Sequence, residues 1–286
     1  MSLRNPVKYP VKYYSWQDDQ APQLSNADGV IKTILKACLV TGYGSKAGAG
    51  WTSLFEDAYR IVLRRPLLTG NPPDIKIENG TITGTTVRHR IVSQDNPTSL
   101  DDATELSAVN LLARDQNLKP EWHCIVTDFA FLLCYQMGSN SNASADRNNI
   151  LFVGSAQKLN DADIEYFFAN YQSSIAANGT IGVNYPFIST ATIIKNMRAN
   201  KDYTVKNVLS LNLPEKFANN DFFAQKIMID SVAMMPFYTA VSQQYADKVN
   251  SIVSIAGRQC LRWVNLTLNG GSENKVLYIP LDYWEL

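Results

Sequence analysis

The spacing of apolar residues changes period several times along the chain, and each change predicts a different element. Between about Asn26 and Val40, the residues Ile31, Ile34, Leu35, Cys38 and Leu39 recur at helical spacing and predict one amphipathic helix. Ser25 and Asn26 are its capping candidates and Asp28 falls in its first turn. Gly42 is placed to end it in the left-handed conformation. A second helix is expected over about Leu100 to Arg114, entered through Ser99 with Asp102 three residues on, which is a capping-box-like start. A third is expected over about Asp161 to Ala177, capped by Asn160, with Ile164, Phe167, Phe168, Tyr171 and Ile175 on one face. Ile188 to Asn200 is a fourth candidate.

Elsewhere the pattern is that of strands. In IKIENGTITGTTVRHRIV, Asn79-Gly80 predicts a type I′ hairpin turn with Ile77 opposite Ile82. The run Trp122 to Met137 is too long for one strand and is expected to bend near Asp128, with Asn149 to Val153 returning to pair with it. LRWVNLTL and KVLYIPL flank NGGSEN as another hairpin, and the apolar segment 223–242 fits strand or helix equally. Residues 1–24 show no clean period and predict an extended N-terminal arm, anchored by its aromatics on the body or on a neighbouring subunit. The expected fold is therefore α+β, a mainly antiparallel sheet with about three packed helices, in a body of residues 25–286. A composition shift near residues 178–206 marks a candidate division into two lobes.

Composition narrows the function. Lys and Arg total 26 against 26 Asp and Glu, so the net charge is zero and no basic stripe for nucleic acid is expected. Arg60, Arg64, Arg65, Arg88 and Arg90 form only a local cluster, of the kind a solvated face explains. Charged residues are 18%, and 25 asparagines supply neutral amides in their place, which suits a subunit covered by neighbours and is also compatible with a plain monomer. No apolar window is long enough for a membrane helix, and the first residues carry no apolar signal-peptide core. The cysteines Cys38, Cys124, Cys134 and Cys260 lack C-x-x-C spacing and lie in apolar runs, so buried free thiols are expected. Asn-Gly-Thr at 79–81 and 178–180 is read as turns rather than glycosylation sites.

Candidate chemistry is sparse. The loop Gly42 to Gly50, GYGSKAGAG, has a phosphate-loop composition. It follows a helix instead of leading into one, and its lysine is misplaced for a P-loop, so it is expected only to turn a corner, with Trp51 plugging the exit. Gly154-Ser155-Ala156 lacks the context of a nucleophile elbow. His89 and His123 are the two imidazoles and are expected to be structural. The close carboxylate pairs are Glu56/Asp57, Asp101/Asp102 and Asp161/Asp163. The last two are explained by predicted helix N-termini, and the first points its members to opposite faces of a strand. No residue is assigned as catalytic, cofactor-binding or metal-binding, and no cofactor is expected.

One resemblance stands beside this reading. The order KYYSWQDDQAPQLSNADGVIKTILKACLVTGYGSKAGAGWTSLFEDAYRIVLRR resembles the N-terminal region of structural proteins of tailed bacteriophages and prophages. The elements that carry it are Ala21-Pro22-Gln23-Leu24, Gly29, Cys38-Leu39-Val40, Gly42-Tyr43-Gly44-Ser45-Lys46 and Gly50-Trp51-Thr52. EWHCIVTDFAFLLCY followed by NNILFVGS, and GRQCLRW with VLYIPLDYW, are similar to later segments of that family. The likeness covers about the first 65 residues well and the rest in patches; the piece after Arg65 and residues 160–250 depart from it.

What the resemblance implies is a place in a virion, assembled in the bacterial host cytoplasm, and no reaction. The leading expectation is a non-enzymatic virion protein of the tail, baseplate or head–tail region, contacting other virion proteins and copies of itself. A receptor- or carbohydrate-binding module at a tail tip is the alternative, suggested by the aromatics and by the amide-rich loop Ser139 to Asn149. A polysaccharide hydrolase is the second alternative, suggested only by unassigned carboxylates.

Overall fold

The strands Trp122–Val126 (β8) and Ala130–Met137 (β9) are apolar on both faces, and such a strand is stable only where both faces are covered. The computed structural model meets that demand with three stacked β-layers. It describes residues 7–25, 27–66, 72–79, 86–114, 121–137, 147–158, 166–171, 193–198, 202–203, 205–210, 221–229, 233–242, 250–255, 257–265 and 274–285.

The central layer is an antiparallel sheet. From one edge it runs Asp202–Tyr203 (β14), Ile193–Asn196 (β13), Tyr166–Tyr171 (β12), Arg147–Ser155 (β10), β9, β8 and Lys12–Ser15 (β2). The first layer joins Thr52–Glu56 (β3), Ile61–Arg64 (β4), Asp74–Asn79 (β5), Thr86–Gln94 (β6) and Glu105–Arg114 (β7) in chain order. The third layer runs Val205–Ser210 (β15), Asp221–Ile229 (β16), Ala233–Ser242 (β17), Asn274–Pro280 (β20), Arg258–Asn265 (β19) and Ser251–Ile255 (β18), with Gln157–Lys158 (β11) beside β17. A short pair, Lys8–Pro10 (β1) with Tyr283–Glu285 (β21), joins the two ends of the described chain.

Alternation on the central strands sorts their side chains between two cores. Trp122, Cys124, Val126, Phe131, Leu133, Tyr135, Leu151 and Val153 face the first layer, where Ile61, Leu63, Ile75, Ile77, Ile91, Val109 and Leu111 meet them. Ile125, Leu132, Cys134, Ile150 and Phe152 face the third layer and pack on Met235, Phe237, Leu261, Trp263, Leu277 and Ile279. Burying Leu132, Leu133 and their neighbours on both sides contributes about 2 kcal/mol per large apolar side chain.

The helix Val30–Lys36 (α1) continues into a π-helical turn, Ala37–Thr41, and inserts Ile31, Ile34, Leu35, Cys38 and Leu39 into the first core. It starts later than the periodicity predicts: Gly29 at φ 75° opens it, while Ser25 Oγ accepts from the Ala27 amide outside it. At its end the carbonyls of Cys38 and Leu39 accept from the returning amides of Ala49 and Trp51, at 2.9 and 3.0 Å.

The α+β expectation with about three packed helices is overturned, because α1 with its π turn is the one helix among the described residues. Glu105–Arg114 is a strand paired along β6, with Ser107, Val109 and Leu111 buried in alternation. The capping-like Ser99 and Asp102 shape the preceding turn instead. Ser99 Oγ accepts from the Asp101 amide, and the Asp102 carboxylate accepts from the Thr98 and Thr104 amides. Ser and Asp satisfy turn amides as readily as helix ones, which is why the signal misleads.

Tyr166–Tyr171 and Ile193–Asn196 are also strands; aromatic and β-branched residues suit a pleated sheet beside a paired neighbour. Met197 and Arg198 form a turn, and the remainder of the expected third and fourth helices lies outside the described residues, as do residues 178–192 at the candidate lobe division. The Asn79-Gly80 hairpin is corrected too: Asn79 pairs with His89 and Ile77 with Ile91, so the connection is longer than two residues. The turn expected near Asp128 is present, with the Thr127 Oγ1 accepting from the Ala130 amide at 3.1 Å. The hairpin of Arg258–Asn265 with Asn274–Pro280 is present as well, and segment 223–242 resolves into the antiparallel β16 and β17.

Candidate functional site

The segments that carry the phage resemblance meet in space, at the junction of the arm with the glycine loop. Tyr43 and Lys46 exchange amide-to-carbonyl bonds of 2.9 Å and fold the loop into a tight finger. Gly42, at φ 74° and ψ 179°, is the pivot; a Cβ there would lie 2.2 Å from the Lys46 carbonyl oxygen. The positive φ was expected, but the ψ is extended rather than left-handed helical, a region that excludes side chains still more strictly. A Cβ on Gly48 would lie 2.2 Å from the Val40 oxygen, so the finger lies directly on the helix end.

The finger grips the arm. Lys46 Nζ donates to Asp18 Oδ2 at 2.7 Å and to the Tyr13 carbonyl at 2.9 Å. Tyr43 Oη donates to the same carboxylate oxygen at 2.8 Å, and the Ser15 amide donates to it at 2.7 Å. Tyr14 Oη donates to the Ala47 carbonyl at 2.8 Å. Burial works against an ionised Asp18, but the bonds from Lys46, Ser15 and Tyr43 outweigh it and hold the carboxyl below its ordinary range. Burial, followed by the bond to Asp18, pushes the Tyr43 phenol upward.

A phosphate-binding loop needs free amides aimed at one point. Here the amides of Gly42, Tyr43, Lys46, Ala49 and Trp51 donate to the carbonyls of Ala37, Lys46, Tyr43, Cys38 and Leu39. The loop turns a corner and clamps the arm. Trp51 plugs the exit as expected, buried edge-on against Phe131 with the Arg65 guanidinium over its ring.

A second constellation lies on the opposite face of the central sheet. Tyr13 Oη lies 2.7 Å from His123 Nδ1, and His123 Nε2 lies 3.2 Å from Glu121 Oε1. The carboxylate also accepts from Asn250 Nδ2 at 2.9 Å. In the neutral ring, the Glu121 carboxylate can only accept, which puts the proton on Nε2 and leaves Nδ1 to accept from Tyr13 Oη. The imidazole stacks on the Tyr13 ring and receives the edge of Trp263 at 5.6 Å. A Glu–His–Tyr chain is relay chemistry in form, yet burial pushes the Tyr13 phenol up to about 12, away from an ionised base or nucleophile. Its effect is to tie arm, central sheet and third layer together. Sequence reasoning treated His123 alone; the i, i+2 spacing of Glu121 and His123 on one strand face was the available signal, while Tyr13 and Asn250 arrive from far along the chain.

His89 lies on β6 between Asn79 and Leu111, and among the described residues neither ring nitrogen has a hydrogen-bond partner. Burial lowers its pKa to about 4, so the neutral ring sits in the core. The cysteines are free and buried, and burial raises the thiols of Cys38, Cys134 and Cys260, the last to about 11.

Several of the remaining charges are matched. Glu56 bridges Lys32 and Lys36 at 2.8 Å each, and Asp57 takes Arg60, so that pair does diverge. Arg60 reaches on to Asp101 at 2.5 Å, Arg64 pairs with Asp74 at 2.6 Å, and Arg90 pairs with Glu78 and Glu105. Asp161, Asp163 and most of the loop Ser139 to Asn149 lie outside the described residues. Among the described residues, no three His, Cys, Asp or Glu side chains gather as a metal site, and no helix is long and apolar enough to cross a membrane. No protein-family model, curated protein or solved structure matches the chain.

Proposed function

We propose that the chain is a non-enzymatic structural protein of a tailed-phage or prophage virion, seated in the tail, baseplate or head–tail region. It acts through contacts with other virion proteins and with copies of itself, after assembly in the bacterial host cytoplasm. One observation supports this reading above the others. The residues that carry the phage resemblance, from Lys12 to Asp18 and from Gly42 to Trp51, turn their polar groups on one another and on backbone carbonyls. Their pattern is thus explained by a fixed joint between arm and body, as rigid assembly subunits need. The zero net charge and the matched arginines accord with protein partners rather than nucleic acid.

The test is cross-linking mass spectrometry on purified particles from a lysate that expresses this chain. The expected result is the chain present at fixed stoichiometry, with cross-links to tail, baseplate or connector proteins. Particles that assemble and infect normally without it would defeat the proposal.

A further inference from the structure

Among the described residues, several strands that end the sheets are blunted, each in its own way, and β18 is not. An edge strand offers a row of unpaired backbone groups, and folds guard such rows with charge, proline, bulges or a covering segment. In the central sheet, β2 carries Lys12 and is covered by the glycine finger, whose Lys46 takes the Tyr13 carbonyl. In the first layer, β3 has a register shift between Ser53 and Phe55 and ends in Glu56, and β7 packs against β12 and β13. In the third layer, β15 has a register shift between Val205 and Asn207.

Among the described residues, the strand β18 has none of these devices. Its sequence is Ser-Ile-Val-Ser-Ile, without charge or proline, and it pairs with β19 in unbroken register from Ser251 to Ile255. Ile252 is 51% exposed, one of three large apolar side chains so exposed among the described residues. On the other face, Val253 and Ile255 are half-buried at the margin of a small apolar cluster with Cys260, Tyr278 and Tyr238, and that cluster stops at the edge.

We propose that β18 is the pairing edge through which a second copy of this chain docks, by antiparallel addition of its own β18 about a twofold axis. A five-residue strand overlaps itself fully only when centred on its third residue, here Val253. That register sets Val253 against its counterpart and both Ser251 and Ile255 against each other on the outer face. It extends the apolar cluster across the junction. On the opposite face it sets each Ile252 against a Ser254, so the exposed isoleucine gains cover and no charge is buried. The contact is small, so it is weak between free molecules and strong where a particle holds many copies together. The inference deepens the assembly role proposed above by naming the partner and the strand.

The test uses the full chain with Val253→Cys in a Cys260→Ser background, since Cys260 lies opposite Val253 on β19 and the other three native cysteines are buried. Mild oxidation should give a disulfide-linked dimer much faster than Tyr59→Cys, an exposed site on another layer. In sedimentation experiments the unmodified chain should show a concentration-dependent dimer, which Ile252→Lys weakens about tenfold while the melting temperature stays unchanged. Equal cross-linking rates at the two sites, or a dimer indifferent to Ile252→Lys, would overturn the proposal; so would cross-links in particles joining β18 to a different protein. A chain found in particles without β18 cross-links sinks this inference alone, whereas a β18 dimer absent from particles sinks the assembly reading alone.

Discussion

Lowering the pH from about 8 to about 4 asks the fold to accept a proton on His89, and the core around that ring resists it. The imidazole sits on the inward face of the first layer, two residues from Ile91, with neither nitrogen partnered among the described residues. Burial takes its pKa from 6.5 to about 4. The folded-state value is depressed, so the unfolded chain binds the proton first, and stability falls as pH drops through this window. Integrating between the two values gives a loss of about 0.8 kcal/mol at pH 6, about 2 kcal/mol at pH 5 and about 3 kcal/mol at pH 4, relative to neutral pH. The perturbation is His89→Leu, which fills a similar volume and cannot titrate. Denaturant unfolding of both proteins across that range isolates the histidine, because carboxylates common to the two cancel in the difference. The variant should be the more stable at pH 4 by about 3 kcal/mol more than at pH 7. Parallel pH profiles would refute the argument, since they would mean His89 is charged in the fold or exposed to water.

Three other outcomes follow from the packing. Gly42→Ala should cost about 2–4 kcal/mol of unfolding free energy, from backbone strain and overlap with the Lys46 carbonyl; unchanged denaturation would contradict the pivot. Trp263→Ala should cost about 3–5 kcal/mol in the same assay and Trp263→Phe much less, because among the described residues the buried indole N–H has no hydrogen-bond partner. A thiol reagent should leave all four cysteines unmodified in the native chain and label every one in denaturant; rapid native labelling would deny the buried placement.

How far the sequence revealed this architecture varied with how local the cause was. The helix stripe from Ile31 to Leu39, the break between β8 and β9, and the pairing of Arg258–Asn265 with Asn274–Pro280 all rest on neighbouring residues and were legible. The expected helix at Leu100 to Arg114 failed because Val109 fits both periods, and Ser99 with Asp102 satisfies a turn as well as a helix start. The layering had a signal that went unread. WHCIV and AFLLCY are apolar at nearly every position, and an antiparallel sheet with one wet face would alternate instead. The grip of Lys46 on Asp18 and the chain from Tyr13 through His123 to Asn250 join residues remote in sequence, so no local pattern could announce them.

The pairing of β1 with β21 sets Lys8 beside Glu285 and Pro10 beside Tyr283. Whatever is attached ahead of Lys8 or behind Glu285 therefore emerges side by side from one spot, so tags or fused modules at both ends share a single exit. Tension drawn between those two exits would peel the short pair open bond by bond instead of loading its hydrogen bonds together. The seam is thus the point where such a load enters the fold, and what resists it there is Trp284, fully buried in the second core.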